Sequence, residues 1–352
     1  MATPAPTARP HGAERDHGFH PLRVARVVDE TSDTRSFALE VPDELRAAFA
    51  YDAGQFCNFR VVIDGTPHER CYSMSSSPAV DDELCVTVKR VPDGVVSNWM
   101  NDELSPGDLI DANVPSGLFR LGDGDGDVVA FGAGSGITPI LSIIKSALAT
   151  TTRRVRLLYA NRDRDAIIFA ADLETLLAEH PGRLVVEHHL DVERGFVDAG
   201  EVGAFADRES TPAEHFICGP TPFMDVVETT LLERGVDAAT IRIERFTAAD
   251  LTPPPDASDE PDGIEVTVEL GGRKGSVAHR PGTTLLQVAR ELGLSPPFSC
   301  ESGNCATCMA RLVEGEATMR TNNALLPEEL EEGWVLTCQA VPTSPTVHVI
   351  YE

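Results

Sequence analysis

Apolar and polar positions alternate in three distinct ways along the chain. From residue 19 to 124, short β-rich runs such as "RVARVV", "RSFALEV", "QFCNFRVVI" and "ELCVTVKRV" are separated by Gly, Pro and Asp turns. Runs of this length and spacing predict an antiparallel β-barrel or sandwich. Only "VPDELRAAF" and "VVSNWMNDEL" carry helical patterning in that region. After the turn "GDGDGD" the pattern changes at Val128. "VVAFGAG" is a continuous apolar strand ending in glycines, and "TPILSIIKSALAT" has helical spacing. "RVRLLYAN", "AADLETLLAEH" and "RLVVEHHL" continue as strand, helix and strand, and "HFICGP" with "TPFMDVVETTLLERG" adds another unit. This alternation predicts an α/β domain over 125–247, with a parallel sheet and crossover helices. The stretch "TAADLTPPPDASDEPDG" is rich in Pro and Asp and predicts a semi-rigid linker over 248–263. The remaining residues, 264–352, form a separate α+β unit in which "GIEVTVELGGRKGSVAHRPGTTLLQVARELG" reads as a β-hairpin and then a helix.

Composition narrows the partners. The 352 residues include 29 Lys plus Arg against 56 Asp plus Glu, a formal charge of −27. Such a chain is repelled by phosphate backbones and anionic lipids, so nucleic acid and membrane surfaces are not expected partners, whereas basic protein patches are. No stretch is long and apolar enough to span a bilayer. Residues 1–18, "MATPAPTARPHGAERDHG", have no apolar core and predict a disordered leader rather than a secretory signal. The expected location is the cytoplasm, where clustered cysteines hold metal or do redox chemistry. The acidic run "PEELEE", 327–332, reads as a solvated face or a docking patch.

Of eight cysteines, Cys57, Cys71 and Cys85 read as small buried hydrophobes. Cys300, Cys305, Cys308 and Cys338 are different. "CESGNCATC" gives C-x4-C-x2-C, with a fourth cysteine thirty residues on. This is the spacing of a plant-type [2Fe–2S] cluster, in which each iron takes two thiolates. A structural zinc site is the competing assignment, but such sites more often pair two C-x2-C knuckles, and only Cys305 and Cys308 form one here. Gly303 suits a backbone that passes close to inorganic sulfide. Ser302, Asn304 and Thr307 are small or polar and leave amides free to bond sulfur.

A cluster moves one electron at a time and a nicotinamide delivers two, so a flavin is expected between them. In "RCYSMSS", 70–76, Arg70 and Tyr72 fall on one face of a strand. Tyr72 can stack on an isoalloxazine, Arg70 can pair with a phosphate, and Ser73 can hydrogen-bond near the flavin N5. "VKRVPDGVVSNWM" then runs from strand through a Gly turn into a helix carrying Ser97 and Asn98 at its start, a place for a pyrophosphate and hence for FAD rather than FMN. "FGAGSGITPILSII" is a glycine-rich strand-to-helix turn without the G-x-G-x-x-G fingerprint, and "CGPTPFM" is a second such turn. Two turns on one sheet edge can flank a nicotinamide. Arg162 and Arg164, in "YANRDRDAIIF", can pair with a 2′-phosphate, stack on adenine or lie solvated.

Together "RCYS", "GAGSGITP", "CGP" and "IERF" resemble the ferredoxin–NADP⁺ reductase superfamily, here with a C-terminal plant-type ferredoxin. "YDAGQFCNFRV", "RCYSMSSSP", "VSNWM", "CGPTPFMDVVETTL" and "CESGNCATCMARLVEGEATM" are similar to the reductase components of bacterial oxygenases. Within these, the nearest likeness is to the 3-ketosteroid 9α-hydroxylase group, then to the phenylacetyl-CoA oxygenase group. The resemblance covers about residues 20–352. It implies that Arg70, Tyr72 and Ser73 bind FAD, that Val88 and Lys89 line the ribityl chain, and that Gly94, Ser97 and Asn98 hold the pyrophosphate. It implies nicotinamide-dinucleotide contacts from Gly134, Gly136, Thr138, Cys218 and Gly219, with Cys218 a positioning group near the hydride path. Phe246 would cover the flavin until the nicotinamide displaces it. The expected activity is electron relay from NADH, or NADPH, through FAD and the [2Fe–2S] cluster to a separate terminal oxygenase protein. That acceptor is expected to be of Rieske type, acting on a steroid or similar hydrophobic substrate. A diiron oxygenase as acceptor and a redox sensor are the alternatives.

Overall fold

The computed structural model describes residues 18–207, 212–246, 263–298, 301, 303 and 305–351. The expected leader (to residue 17), nearly all of the expected linker, and Cys300, Ser302 and Asn304 lie outside the described residues. The chain divides into two compact units, one running to Arg245 and one from Phe246 onward that also takes in Ser116–Leu118.

The first unit begins with six antiparallel strands: β1 (Phe19–Thr31), β2 (Thr34–Glu40), β3 (Phe56–Ile63), β4 (Thr66–Ser73), β5 (Leu84–Lys89) and, after helix α1 (Val95–Glu103), β6 (Leu109–Asn113). Their order is β4-β3-β6-β1-β2-β5. Met74, just past β4, bridges Val86 of β5, so the two edge strands meet and the sheet closes into a barrel. Alternation does the sorting: Leu22 and Val24 are buried while Arg23 between them is exposed. The helix expected in "VPDELRAAF" reduces to a 3₁₀ turn at Asp43–Leu45. Only Phe49 of that segment is buried, too little apolar surface to sustain a longer helix.

A parallel sheet follows in the same unit. Its elements are β7 (Asp127–Ala133), α2 (Ile137–Thr150), β8 (Val155–Asn161), α3 (Ala170–Glu179), β9 (Leu184–Leu190), α4 (Asp191–Arg194), α5 (Ala199–Ala206), β10 (Ala213–Cys218), α6 (Thr221–Glu233) and β11 (Ile241–Glu244). The order β11-β10-β7-β8-β9 places a switch in direction between β7 and β10. Both faces are covered. Val128 and Ala130 pack with Ile140 and Ile144, while Val129 and Phe131 pack with Phe205 and Met224. Barrel and sheet are joined by polar contacts: Ser77 Oγ lies 2.7 Å from Ser146 Oγ, and Lys145 pairs with Asp81 at 3.2 Å.

The second unit contains β12 (Glu265–Leu270), β13 (Arg273–Ala278), α7 (Leu285–Glu291), β14 (Met309–Glu314), β15 (Ala317–Met319), α8 (Pro327–Glu331), β16 (Trp334–Leu336), β17 (Ala340–Pro342) and β18 (Thr346–Tyr351). The predicted hairpin is β12–β13, turned by Gly271 and Gly272 at φ 57° and 75°. The main sheet runs β13-β12-β18-β14-β16, with β12 and β18 parallel and the other pairs antiparallel. Helix α7 starts on a capping box between Thr284 and Gln287. It packs Leu285, Val288 and Ala289 against Val266, Val268 and Val349. This is the β-grasp expected of a plant-type ferredoxin. The acidic run is α8: Glu328, Glu331 and Glu332 are exposed, but Glu329 is buried and accepts the Leu326 N–H at 2.8 Å.

Candidate functional site

The barrel presents its flavin-type residues along β4. Arg70 is exposed, with Nη1 donating to the Glu69 carbonyl at 2.7 Å. Tyr72 is half-buried against Phe59, ring centroids 6.0 Å apart, and burial pushes its phenol well up. An exposed guanidinium and a ring two residues apart suit a phosphate and an isoalloxazine. Helix α1 begins at Gly94 with no side chain capping it, so its first N–H groups stay available to an anion. Ser97 and Asn98 turn inward instead. Ser97 Oγ accepts the Val91 N–H at 3.2 Å, and Asn98 Nδ2 donates to the Val91 carbonyl at 3.3 Å. A Cβ on Gly94 would lie 2.5 Å from Ser97 Oγ, so glycine keeps this turn tight. Val88 is a core residue of the barrel, and Lys89 pairs with Asp33 at 3.5 Å.

The two glycine turns meet at the switch point. β7 and β10 pair in register, Cys218 beside Gly132. A Cβ on Gly136 would lie 2.1 Å from the Cys218 carbonyl oxygen, so the turns touch backbone to backbone. A Cβ on Gly219 would lie 2.9 Å from Ala133 Cβ, a looser approach to a side chain. Gly134, at φ 52°, faces open space, as a ligand-approach position requires. Tyr159, which no sequence motif marks, fixes it by donating its hydroxyl to the Gly134 carbonyl at 3.1 Å. Thr138 is buried and bonds back to the Ser135 carbonyl at 3.1 Å, serving the turn itself. At the end of β8, Arg162 is 72% exposed at its side chain and pairs with Asp163 at 2.7 Å.

One functional side chain was missed. Glu244, in "IERF", pairs with Cys218 in the β10–β11 ladder, and its Oε2 accepts Ser73 Oγ–H at 3.0 Å. Three buried groups from three strands thus converge: Ser73, Cys218 and Glu244. Burial raises the Glu244 carboxyl to about 8, the Ser73 hydrogen bond offsetting only part of it. Burial, and then Glu244, push the Cys218 thiol well up. At neutral pH the pair is therefore a neutral acid beside a neutral thiol, a proton store rather than a nucleophile. Phe246, two residues on, is 45% exposed.

In the second unit Cys305, Cys308 and Cys338 are buried and free of disulfides. The Cys338 N–H donates to Cys308 Sγ at 3.5 Å. Cys338, burial and Cys305 together drive the Cys308 thiol up, so metal binding must drive its deprotonation. Among the described residues no three His, Cys, Asp or Glu side chains group around a single metal ion; a two-iron cluster spreads its thiolates over two metals. Gly303, at φ 81°, has no room for a Cβ, which would meet the Thr321 carbonyl oxygen at 2.8 Å. Leu286, Leu325 and Leu336 wall the thiols from water. The donor set and its dry, close-packed cradle fit the cluster.

Three family models match the chain in this order: an oxidoreductase FAD-binding domain at residues 21–121, an oxidoreductase NAD-binding domain at 131–229, and a 2Fe-2S iron-sulfur cluster binding domain at 268–343. The chain is 42% identical over 341 residues to the ferredoxin reductase component of 3-ketosteroid-9-alpha-monooxygenase from Mycolicibacterium smegmatis, covering 94% of this chain and 96% of that one. A component of the 1,2-phenylacetyl-CoA epoxidase from Escherichia coli is 33% identical, with 95% and 98% covered. Among solved structures, phthalate dioxygenase reductase is similar with a TM-score of 0.60 and 25% identity, over 95% of this chain and 98% of that one.

Proposed function

Because the chain belongs to the family of oxygenase reductase components that bind FAD, NAD and a [2Fe–2S] cluster, we propose that it feeds electrons from NADH to a separate Rieske-type oxygenase acting on a 3-ketosteroid. When bound, FAD takes up a hydride and the cluster carries single electrons, so the pair couples a two-electron donor to a one-electron acceptor. The observation that carries the reading is the Ser73–Glu244 hydrogen bond, which ties the flavin strand to the nicotinamide sheet beside Cys218. Tyr72 supports the flavin ring, Arg70 and the start of α1 hold its phosphates, and Ser73 faces its reacting edge. Gly134 leaves room for the dinucleotide backbone; Cys218 and Gly219 set the depth of the nicotinamide. Glu244 holds its proton near neutral pH and keeps negative charge away from that edge. Cys300, Cys305, Cys308 and Cys338 hold the cluster.

The steroid assignment follows the relative that is 42% identical along nearly the whole chain. A Rieske acceptor also suits the energetics, since a plant-type cluster near about −400 mV reduces one at about −150 mV or above. That gap of about 250 mV is roughly four decades in equilibrium constant. No helix among the described residues is long and apolar enough to cross a membrane. None of the described cysteines forms a disulfide, which suits the reducing cytoplasm. The test is reconstitution of purified chain with a Rieske 3-ketosteroid oxygenase and, separately, a diiron phenylacetyl-CoA oxygenase. NADH-driven hydroxylation of the steroid with tight coupling is expected. Turnover only with the diiron enzyme would overturn the assignment.

A further inference from the structure

Glu301, between the first two cysteines of the cluster motif, is held by residues that are not ligands. Glu301 is a non-glycine residue at φ 49°, a left-handed conformation that side chains rarely adopt. Two contacts fix it there. Arg290, from α7, grips its carboxylate with both arms, Nη1 to Oε2 at 3.0 Å and Nη2 to Oε1 at 2.8 Å. The guanidinium also lies over the Phe298 ring, 4.0 Å from its centroid. On the other side, Gln339 Nε2 donates to the Glu301 carbonyl at 2.8 Å.

The same Nε2 stands 3.7 Å from Cys338 Sγ. A carboxamide nitrogen has two hydrogens, and both neighbours here only accept, so the nitrogen rather than the oxygen must face them. One hydrogen serves the Glu301 carbonyl and the other the cysteine sulfur. A Cβ on Gly303 would come within 3.1 Å of the Gln339 Cγ.

We propose that Gln339 is a positioning residue that sets the reduction potential of the cluster by donating a hydrogen bond to the Cys338 thiolate, held in place by the Glu301–Arg290 pair. The reduced cluster carries one more negative charge, which spreads onto its sulfurs, so a donor there stabilises the reduced form. Removing the donor disfavours electron arrival from the flavin. This rests on Cys338 being a cluster ligand, which iron and sulfide content of the wild-type chain checks independently.

The experiment is redox titration and EPR of full-length Gln339→Leu at matched cluster content. The flavin-to-cluster equilibrium should shift at least about threefold toward the flavin, about 28 mV at 59 mV per decade. The g-values of the reduced cluster should move with it, while FAD content stays unchanged. If Gln339→Leu fails to load iron, wild-type protein labelled with ¹⁵N only at glutamine side chains carries the test, with pulsed EPR expected to show coupling between that nitrogen and the reduced cluster. An unchanged potential and spectrum in a fully loaded variant, or no nitrogen coupling in the labelled protein, overturns the proposal. A wild-type chain without iron would overturn the cluster assignment itself.

Discussion

Ser73 and Glu244 are 171 positions apart and meet through one hydrogen bond, whereas three of the four cysteines proposed to hold the cluster fall within nine consecutive residues. The first centre is assembled from rigid strands of two sheets, and its chemistry comes from burial: a carboxyl raised to about 8. The second is a loop whose backbone is bent left-handed at Glu301, Gly303 and Ala306, and its chemistry comes from the ligands themselves. A strand-built centre tolerates changes in neighbouring loops but not in its close backbone approaches. A loop-built centre is the reverse, depending on a few ligands and braces and little on the rest of the chain.

The largest break in that comparison is Cys305→Ser. A hard hydroxyl replaces a thiolate on iron, so the cluster should be lost and oxygenase turnover abolished. The strand-built centre shares no residues with the loop. The variant should keep FAD and oxidise NADH with ferricyanide within about twofold of wild type. Visible absorbance and EPR confirm cluster loss on the preparation used for both assays. Undiminished oxygenase turnover in a cluster-free variant would refute the relay.

Next is Glu244→Gln, which keeps the shape and neutrality of the protonated acid but cannot ionise. Flavin reduction by NADH, followed by stopped flow, should match wild type near pH 7 and exceed it by about tenfold one unit above the Glu244 titration, where most of the wild-type carboxyl has ionised. Wild-type rates should fall as pH rises through about 8, where Glu244 ionises, and the variant should lack that limb. Stability carries the same signature. The folded chain holds this proton where the unfolded chain has released it, so its contribution is full below the ordinary carboxyl range and declines as pH rises to about 8. The glutamine variant should lose that component of the slope in denaturant titrations, while a profile identical to wild type would remove Glu244 from the mechanism.

Gly136→Ala tests the close approach itself. The added methyl would stand 2.1 Å from the Cys218 carbonyl oxygen and 2.4 Å from its carbon, and backbone cannot give way as a flexible side chain can. Overpacking of this kind costs about 1–3 kcal/mol, so kcat/KM for NADH should drop by about tenfold or more with FAD content unchanged. An unaffected kcat/KM would mean that the two turns do not set the nicotinamide site.

Legibility followed the same division. The barrel, the parallel sheet and the ferredoxin unit were readable because their periods and turns are local, as in "VVAFGAG" followed by "TPILSIIKSALAT". The cysteine spacing was readable for the same reason. Glu244 was not, because nothing beside it in "IERF" marks a buried acid; only the pairing of β11 with β10 and the reach of Ser73 create its environment. Ser97 was visible as a hydroxyl at a helix start and Thr138 was implied by the family resemblance, but whether such a group faces a ligand or its own turn depends on a rotamer, and both bond back to the chain. Gln339 carried no signal because its value lies in touching Glu301 across 38 positions.

The smallest expected effect concerns coenzyme choice at the end of β8. Arg162 has the charge to bind a 2′-phosphate, but its Nε is paired with Asp163 at 2.7 Å, and the guanidinium holds the Asp163 carboxyl below its usual range. Asp163 also accepts the Ala166 N–H at 3.0 Å, which fixes it at the start of the next turn. A carboxylate anchored there repels a second anion, so NADH should be the better donor in the wild type. Asp163→Asn keeps the accepting oxygen and removes the charge, and it should raise kcat/KM for NADPH relative to NADH by about threefold at low salt, the scale of exposed ion-pair effects. Because both side chains reach solvent, the gain should shrink near 0.5 M salt, where the screening length falls to roughly 4 Å. Arg162→Ala should then erase the gain in the Asp163→Asn background while changing NADH turnover little. Wild-type preference for NADPH would show that Arg162, despite its partner, already serves the 2′-phosphate.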